Sequence, residues 1–317
     1  MSEVILLDGG MGQELIHRSK HKPHPMWSAK VLLDEPELVE QVHYEFISAG
    51  ATVITLNNYS CTPERLERDG SLDMFEKLQR KAISVAKRAI DRSKVSHSVQ
   101  LAGSLPPLYA SYRPDIAPSL KDCIASYERI AEVQVDEVDI LLCETMSSVK
   151  ELQASGYVAS HSGKTAWVSG SVSDSNGLLL RSGERLEEGL ASLSKLAIDA
   201  VLLNCSFPEA ITEALKVLST LNVPYGGYPN RFKSIDKLNP GGTVDVLSIR
   251  DDSRGAASGL NGAFIIGFGA LYSAIGGYFL GYIGRVEVIY FMIFSSLILT
   301  YISIIHTDEF KHSSFKK

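Results

Sequence analysis

Short apolar runs alternate with longer segments of helical period along the first 250 or so residues of the chain. Strands that alternate with helices indicate a parallel sheet with right-handed crossovers. A run that is apolar throughout is typical of a strand buried on both faces, as in such sheets. The strands are predicted at 4–7, 52–56, 99–102, 139–143, 165–169, 200–203 and 223–228.

Seven or eight strand–helix units in about 250 residues fit a (β/α)8 TIM-type barrel better than a doubly wound sheet. Three of the intervening helices have clear signals. One is predicted to begin at a cap on Asp34, with Pro36 in its first turn, and to end at Gly50. The other two carry apolar faces over 120–131 and 186–197.

Polar residues follow several predicted strands directly. Asp8 follows the first strand, Glu144 the fourth and Cys205 the sixth. Because the carboxyl ends of barrel strands meet at one rim, we expect both carboxylates and the thiol to surround a single cavity. Residues that cap helices also follow strands, and capping alone explains about half of the polar strand ends.

The composition bounds the class of protein. Apolar residues make up 45% of the chain and charged residues 21%, as in globular proteins with a full core. The net charge of −6 argues against a nucleic-acid partner held by phosphate contacts. The four cysteines show no CxxC spacing and the N-terminus has no signal-peptide pattern, which predicts a reducing, cytoplasmic location.

The charge pattern changes abruptly near residue 252. Between Gly255 and Ile305 the only charged residues are Arg285 and Glu287. We therefore predict a barrel domain over 1–252 and a hydrophobic tail over 253–317.

The uncharged runs of the tail are about long enough to cross a bilayer. We predict a hydrophobic helical segment there, with two membrane-type helices at about 260–283 and 288–305. Basic residues flank the hairpin on one side, which favours a cytoplasmic barrel anchored by its tail. Two alternatives remain: a barrel strand at 262–270 with the rest packed as core, and a frameshifted, fused or truncated reading frame.

The ordered strand ends resemble those of the homocysteine S-methyltransferase family. The matching segments extend from the first strand to about residue 252 and are Leu6–Gly12, Ile54–Tyr59, Gly103–Leu105, Glu144–Thr145, Arg181–Glu184, Asn204–Cys205 and Tyr228–Asn230. The resemblance implies a barrel that transfers a methyl group to homocysteine from a small donor such as S-methylmethionine or betaine, giving methionine.

The same resemblance implies roles for individual residues. Asp8 and Glu144 would hold the homocysteine amino group, with further substrate contacts from Asn57, Gly9 and Gly10. Cys205 would be one of three thiolates on a zinc ion, and the homocysteine sulfur would take the open fourth position. A zinc-bound thiol is deprotonated at neutral pH and remains nucleophilic.

The chain departs from the family at the other two zinc ligands, which are adjacent cysteines in a Gly-Gly-Cys-Cys motif. This sequence has no cysteine after Cys205 and no Cys-Cys pair. The nearest likeness, over 262–270, has Gly269 and Ala270 at those positions. The residues between 253 and 260 are too few for a helical crossover, so the barrel is predicted to be incomplete at its last βα unit.

These observations leave three functions open. The first is a homocysteine S-methyltransferase with an incomplete zinc site. The second is a non-catalytic amino-acid-binding module, membrane-tethered through the tail, that keeps Asp8 and Glu144. The third is a truncated product with unpaired sheet edges.

Overall fold

The computed structural model describes residues 4–22 and 24–230. Its main sheet has six parallel strands in the order β1-β2-β3-β4-β7-β8, and a short antiparallel pair, β5-β6, forms a separate hairpin. The strands are β1 (Val53–Thr55), β2 (Gln100–Leu105), β3 (Ile140–Met146), β4 (Thr165–Gly170), β5 (Val172–Ser173), β6 (Asn176–Leu180), β7 (Ala200–Asn204) and β8 (Tyr225–Tyr228).

Helices connect the parallel strands. The helices are α1 (Met11–Arg18), α2 (Ser28–Asp34), α3 (Pro36–Ser48), α4 (Pro63–Asp69), α5 (Phe75–Ser93), α6 (Leu120–Gln134), α7 (Val149–His161), α8 (Leu186–Leu193) and α9 (Pro208–Leu218). Two short 3-10 turns lie at Leu72–Met74 and Pro114–Ile116.

The sheet curls around a small apolar cluster. This cluster takes residues from β1, β2, β3, β4 and β7, while Leu7 and Tyr228 from opposite ends of the sheet pack against it. Its buried members are Val53, Ala102, Ile140, Leu142, Trp167, Ala200 and Leu202. A flat sheet could not bring its two ends to one cluster, so the described strands form a curled parallel half-barrel, consistent with the predicted TIM-type barrel.

The alternate strand residues face the helices. Ile54, Leu141, Val168 and Leu203 belong to a much larger core that lies between the sheet and the helical layer. Successive strand side chains point to opposite faces, so each strand contributes to both clusters. Strands β1 to β4 and β7 are therefore largely buried on both faces, as their continuous apolar runs predict, whereas β8 is partly exposed.

The prediction for the first strand is wrong in part. Val4 and Ile5 are 77% and 49% exposed, and the only bridge in this segment joins Leu7 to Val53 in parallel. Asp8 N also donates to Val53 O at 3.0 Å. Within the described residues the segment pairs with β1 alone, so its first residues lack a second neighbour to cover them.

Two helix boundaries also differ from the prediction. Asp34 is the last residue of α2, and Glu35 takes the N-cap position of α3. The helix predicted over 186–197 ends at Leu193. Gly50 does follow the end of α3, with a φ of 109° that favours glycine.

The β5-β6 hairpin was not predicted, because its sequence lacks alternating hydrophobicity. It packs on α9, and Gly177 N donates to Glu213 Oε2 at 2.9 Å.

The predicted tail, its two helices and the boundary near residue 252 lie outside the described residues, and so does the closing barrel unit. Among residues 4–22 and 24–230, no helix is both long and apolar enough to cross a membrane.

We expect Gly177→Ala to destabilise the fold by about 1–3 kcal/mol, because the new Cβ would lie 2.2 Å from the backbone oxygen of Ala210 in α9. Chemical denaturation measures the change. Gly170→Ala is the matched control, since its Cβ would meet only side-chain carbons at 3.6 Å or more. Equal stabilities of the two variants would contradict the close contact between hairpin and helix.

Candidate functional site

A polar layer lies directly above the apolar cluster. Its members follow the interior apolar residues by two positions on each strand, so strand alternation points them into the same space. The members are Thr55, Ser104, Glu144, Ser169 and Asn204. The interior of the half-barrel thus changes from apolar to polar at the carboxyl ends of its strands, where barrels place their chemistry.

Asp8 joins this layer from the segment beside β1. Its Oδ2 accepts from Thr55 N at 2.9 Å and its Oδ1 from Thr55 Oγ1 at 3.1 Å. Burial raises the pKa of Asp8 to about 7; the two hydrogen bonds from Thr55 act against this effect and the charge of Glu144 acts with it. The bonds to Thr55 attach Asp8 to the polar layer that also contains Glu144.

Glu144 lies at the end of β3. Burial raises its pKa to about 7, and the hydroxyl of Ser104 donates to its Oε1. Its neighbour Cys143 points the opposite way, into the core between sheet and helices, and is fully buried there. The strand alternation thus brings the acid into the site and keeps the adjacent thiol out of it.

Cys205 follows β7 with a φ of 54°, in the left-handed region. Thr145 Oγ1 and Asn204 Nδ2 donate to its Sγ at 3.6 and 3.4 Å. Burial raises the pKa of the Cys205 thiol, and the charge of Glu144 adds to this effect. Electrostatic coupling to Glu144 thus connects Asp8 and Cys205 to the same region of the rim.

Backbone strain concentrates around this thiol. Tyr112, Thr145 and Cys205 all have φ between 54° and 64°. Asn204 contacts two of them. Its Oδ1 accepts from Thr145 N at 2.8 Å, and its Nδ2 donates to Thr145 Oγ1 at 2.9 Å and to Cys205 Sγ at 3.4 Å. Left-handed conformations of non-glycine residues persist where surrounding contacts enforce them, and they cluster at functional sites.

Arg181 of the hairpin end holds the strained rim together. Its side chain is 4% exposed and forms a two-point ion pair with Asp174 at 3.0 Å. Its Nη2 donates to Cys205 O at 2.8 Å, and its guanidinium lies 4.5 Å from the ring centroid of Tyr112. Asp174 in turn accepts from Phe207 N at 2.8 Å, at the start of α9.

Three tyrosines that were not predicted as site residues interact electrostatically with the thiol. Burial raises the pKa of Tyr59, Tyr112 and Tyr228, and interaction with Cys205 contributes in each case. Tyr228 belongs to the end strand β8, and the charges of Glu144 and Asp8 also contribute to raising its pKa. Tyr59 and Tyr228 occupy predicted strand ends, and this position could have marked them as site residues. Tyr112 lies in a loop and has no sequence pattern that marks it.

The remaining predicted contacts are placed as follows. Asn57 is 4% exposed and its Nδ2 donates to Ser28 O at 3.2 Å, so its amide is occupied within the protein. A Cβ on Gly9 would lie 2.6 Å from the ring of Phe46, so a larger residue would require that ring to shift. Gly10 is the N-cap of α1 and provides no side-chain acceptor to the helix.

The donor set does not fit the zinc centre that the resemblance implies. Cys61, Cys123 and Cys143 are all fully buried in the helix-side core, which leaves Cys205 as the rim thiol. In the part of the chain that the structure describes, no three histidine, cysteine or acidic side chains are grouped so that they could hold a metal ion. A catalytic zinc needs three protein ligands, and one thiolate does not provide them.

Comparisons with known proteins identify the family. The family model for homocysteine S-methyltransferase matches residues 5–257. The chain belongs to the homocysteine S-methyltransferase family. It is 30% identical over 252 residues to homocysteine S-methyltransferase from Escherichia coli (strain K12), covering 75% of this chain and 81% of the relative.

Two further comparisons give similar matches. Homocysteine S-methyltransferase 1 from Brassica oleracea var. italica is 32% identical over 241 residues, covering 68% of this chain and 72% of the relative. The crystal structure of the metallated homocysteine methyltransferase from Escherichia coli superposes with a TM-score of 0.65 at 28% identity, covering 76% of this chain and 88% of that one. The family inferred from the strand ends is thereby confirmed, and the described half-barrel is consistent with the predicted TIM-type barrel.

We expect Arg181→Gln to destabilise the protein by about 2–4 kcal/mol, because it leaves Asp174 and the Cys205 carbonyl without their cation in a nearly buried site. Thermal and urea denaturation provide the measurement. Arg185→Gln is the control: Arg185 and its partner Glu187 are 66% and 60% exposed, so their loss should change stability by less than about 0.5 kcal/mol. A similar effect of both variants would show that the Arg181 contacts do not hold the rim.

Proposed function

We propose that the chain binds homocysteine, the methyl acceptor of its family, through Asp8 and Glu144. The supporting observation is that these two half-buried carboxyl groups lie together with no basic partner. No ion pair joins either of them to a lysine, arginine or histidine in residues 4–22 or 24–230.

Desolvated carboxylates are costly unless a cation compensates them. Since the protein provides no such cation there, a cation from solution is the natural complement. The α-ammonium group of an amino acid has three donors, so it can serve two carboxyl groups. Asp8 is hydrogen-bonded to Thr55 of β1 and Glu144 to Ser104 of the neighbouring β2, which supports a shared ligand. The hydrogen bonds from Thr55 and Ser104 hold both carboxyl groups in place before the ligand arrives.

The start of α1 can bind the carboxylate of the same ligand. The first turn of a helix presents backbone N–H groups without intrahelical acceptors, and its dipole favours an anion. Gly10 caps α1 without a side-chain acceptor, and no side chain fills the space beside its Cα. Because α1 begins three residues after Asp8, the ammonium and carboxylate sites lie a short distance apart.

Methyl transfer to the homocysteine sulfur is the second candidate function. The 30% identity to homocysteine S-methyltransferase from Escherichia coli supports it, and S-methylmethionine or betaine would be the donor. The donor set argues against it. The sulfur must be a thiolate to attack, and residues 4–22 and 24–230 contain no three-ligand group for the zinc that would deprotonate it.

We expect homocysteine to bind more tightly as pH rises from 5.5 to 8. Below about 7 both carboxyl groups are protonated in the free protein, because burial raises each pKa to about 7, and only the ionised forms attract the ammonium group. Below pH 7, each carboxyl group that must ionise for binding should therefore raise the dissociation constant about tenfold per pH unit. Calorimetry in two buffers of different ionisation enthalpy should also show proton release near pH 7.

Asp8→Asn and Glu144→Gln should each weaken binding at pH 8 at least tenfold. Both should also raise the free protein's melting temperature at that pH, because folding no longer places a charge in a desolvated site. The exposed Glu76→Gln, whose carboxyl is 63% exposed, is the control for both measurements. Unchanged affinity in Asp8→Asn and Glu144→Gln would refute the proposed site.

Methionine formation tests the second candidate. With homocysteine, zinc and either S-methylmethionine or betaine, we expect no methionine above the rate without protein. Methionine produced in proportion to protein concentration, and lost in Glu144→Gln, would instead establish methyl transfer.

A further inference from the structure

The thiol at the rim is already occupied by hydrogen bonds. Thr145 and Asn204 both donate to the sulfur of Cys205. The orientation of the Asn204 amide is fixed, because its oxygen accepts from Thr145 N at 2.8 Å and from Ser169 Oγ at 2.8 Å, which directs its nitrogen towards the sulfur. Polar groups of the protein thus surround this sulfur, where a zinc centre would need two more thiolates.

The other three thiols cannot be brought to this position by side-chain rotation. Cys143 is on the opposite face of β3 from Glu144 and interacts with Ser155 of α7. Cys123 lies in α6 and donates to Pro118 O at 3.6 Å. Cys61 is fully buried, and the sequence contains no further cysteine.

Aromatic residues lie beside these polar groups. Arg181, which donates to Cys205 O, has its guanidinium 4.5 Å from the ring centroid of Tyr112, and Tyr228 O accepts from Cys205 N at 3.3 Å. Aromatic rings make favourable contacts with methylene groups and with thioether sulfur. Such an environment does not distinguish strongly between a thiol and a methyl group of similar size.

We propose that this site binds linear aliphatic and thioether α-amino acids without a metal, and that it lacks the selectivity for a thiol that zinc would confer. This proposal rests on the proposed binding by Asp8 and Glu144. A metal–thiolate bond would exclude ligands that lack a thiol. In its absence the side chain contributes apolar contact only, and one methyl or methylene group changes affinity by a modest factor.

The test compares homocysteine with norvaline, which has a methyl group in place of the thiol, and with methionine. The full chain is treated with a chelator, dialysed and kept under a thiol-free reductant, and each dissociation constant is measured by calorimetry at pH 8. We expect the three constants to agree within about tenfold. Addition of one equivalent of zinc should change the homocysteine constant by less than about threefold.

Two outcomes would overturn the inference in different ways. If homocysteine binds 100-fold or more tightly than norvaline, or binds only with zinc, the site contains a metal–thiolate bond and this inference is wrong. The proposed binding of the ammonium group would remain valid. Failure of all three ligands to bind would remove the proposed function and this inference with it. Zinc content gives an independent readout: after reconstitution and gel filtration we expect much less than one zinc per chain, and one retained zinc per chain would contradict the metal-free site.

Discussion

Two carboxyl groups in a desolvated space dominate the energetics of this rim. Asp8 and Glu144 each have a pKa near 7 because burial penalises their charge. Folding places them there because the strand ends of a curled sheet converge, and no described basic residue relieves the penalty. This uncompensated burial of charge is the physical basis of the proposed ammonium site.

The rest of the rim holds this arrangement in place. Three non-glycine residues, Tyr112, Thr145 and Cys205, adopt left-handed conformations around one sulfur. Asn204 and Arg181 provide most of the hydrogen bonds that compensate for this strain. Sites built from strained backbone need such rigid support, because a residue free to relax would lose the geometry that positions its side chain.

Much of the fold could be predicted from the sequence, because fully apolar runs and helical periodicity report directly on burial. Six of the seven predicted strands occur at nearly the predicted positions. Val4 and Ile5 were misjudged because apolar composition does not reveal whether a strand has neighbours on both sides. The placement of Asp8, Glu144 and Cys205 at one rim followed from barrel geometry, and their roles as ligand contacts remain predictions.

Other features of the site depend on tertiary contacts and leave little trace in the sequence. The contacts of Arg181 arise between a short hairpin and a loop that are distant in the chain. Tyr112 carries no pattern that would mark it. The shortage of cysteine ligands, by contrast, is visible in the sequence, because counting cysteines requires no knowledge of the fold. Nothing described tests the prediction that the tail forms a membrane hairpin.

The alternation along β3 makes the chemistry of this rim sensitive to register. Cys143 and Glu144 are adjacent in sequence, yet one contributes to the core and the other to the ligand space. A slip of one residue along the strand would exchange them and present sulfur to the cavity in place of oxygen. Insertions or deletions upstream in this strand would thus decide whether sulfur or oxygen faces the rim, without any substitution of Cys143 or Glu144.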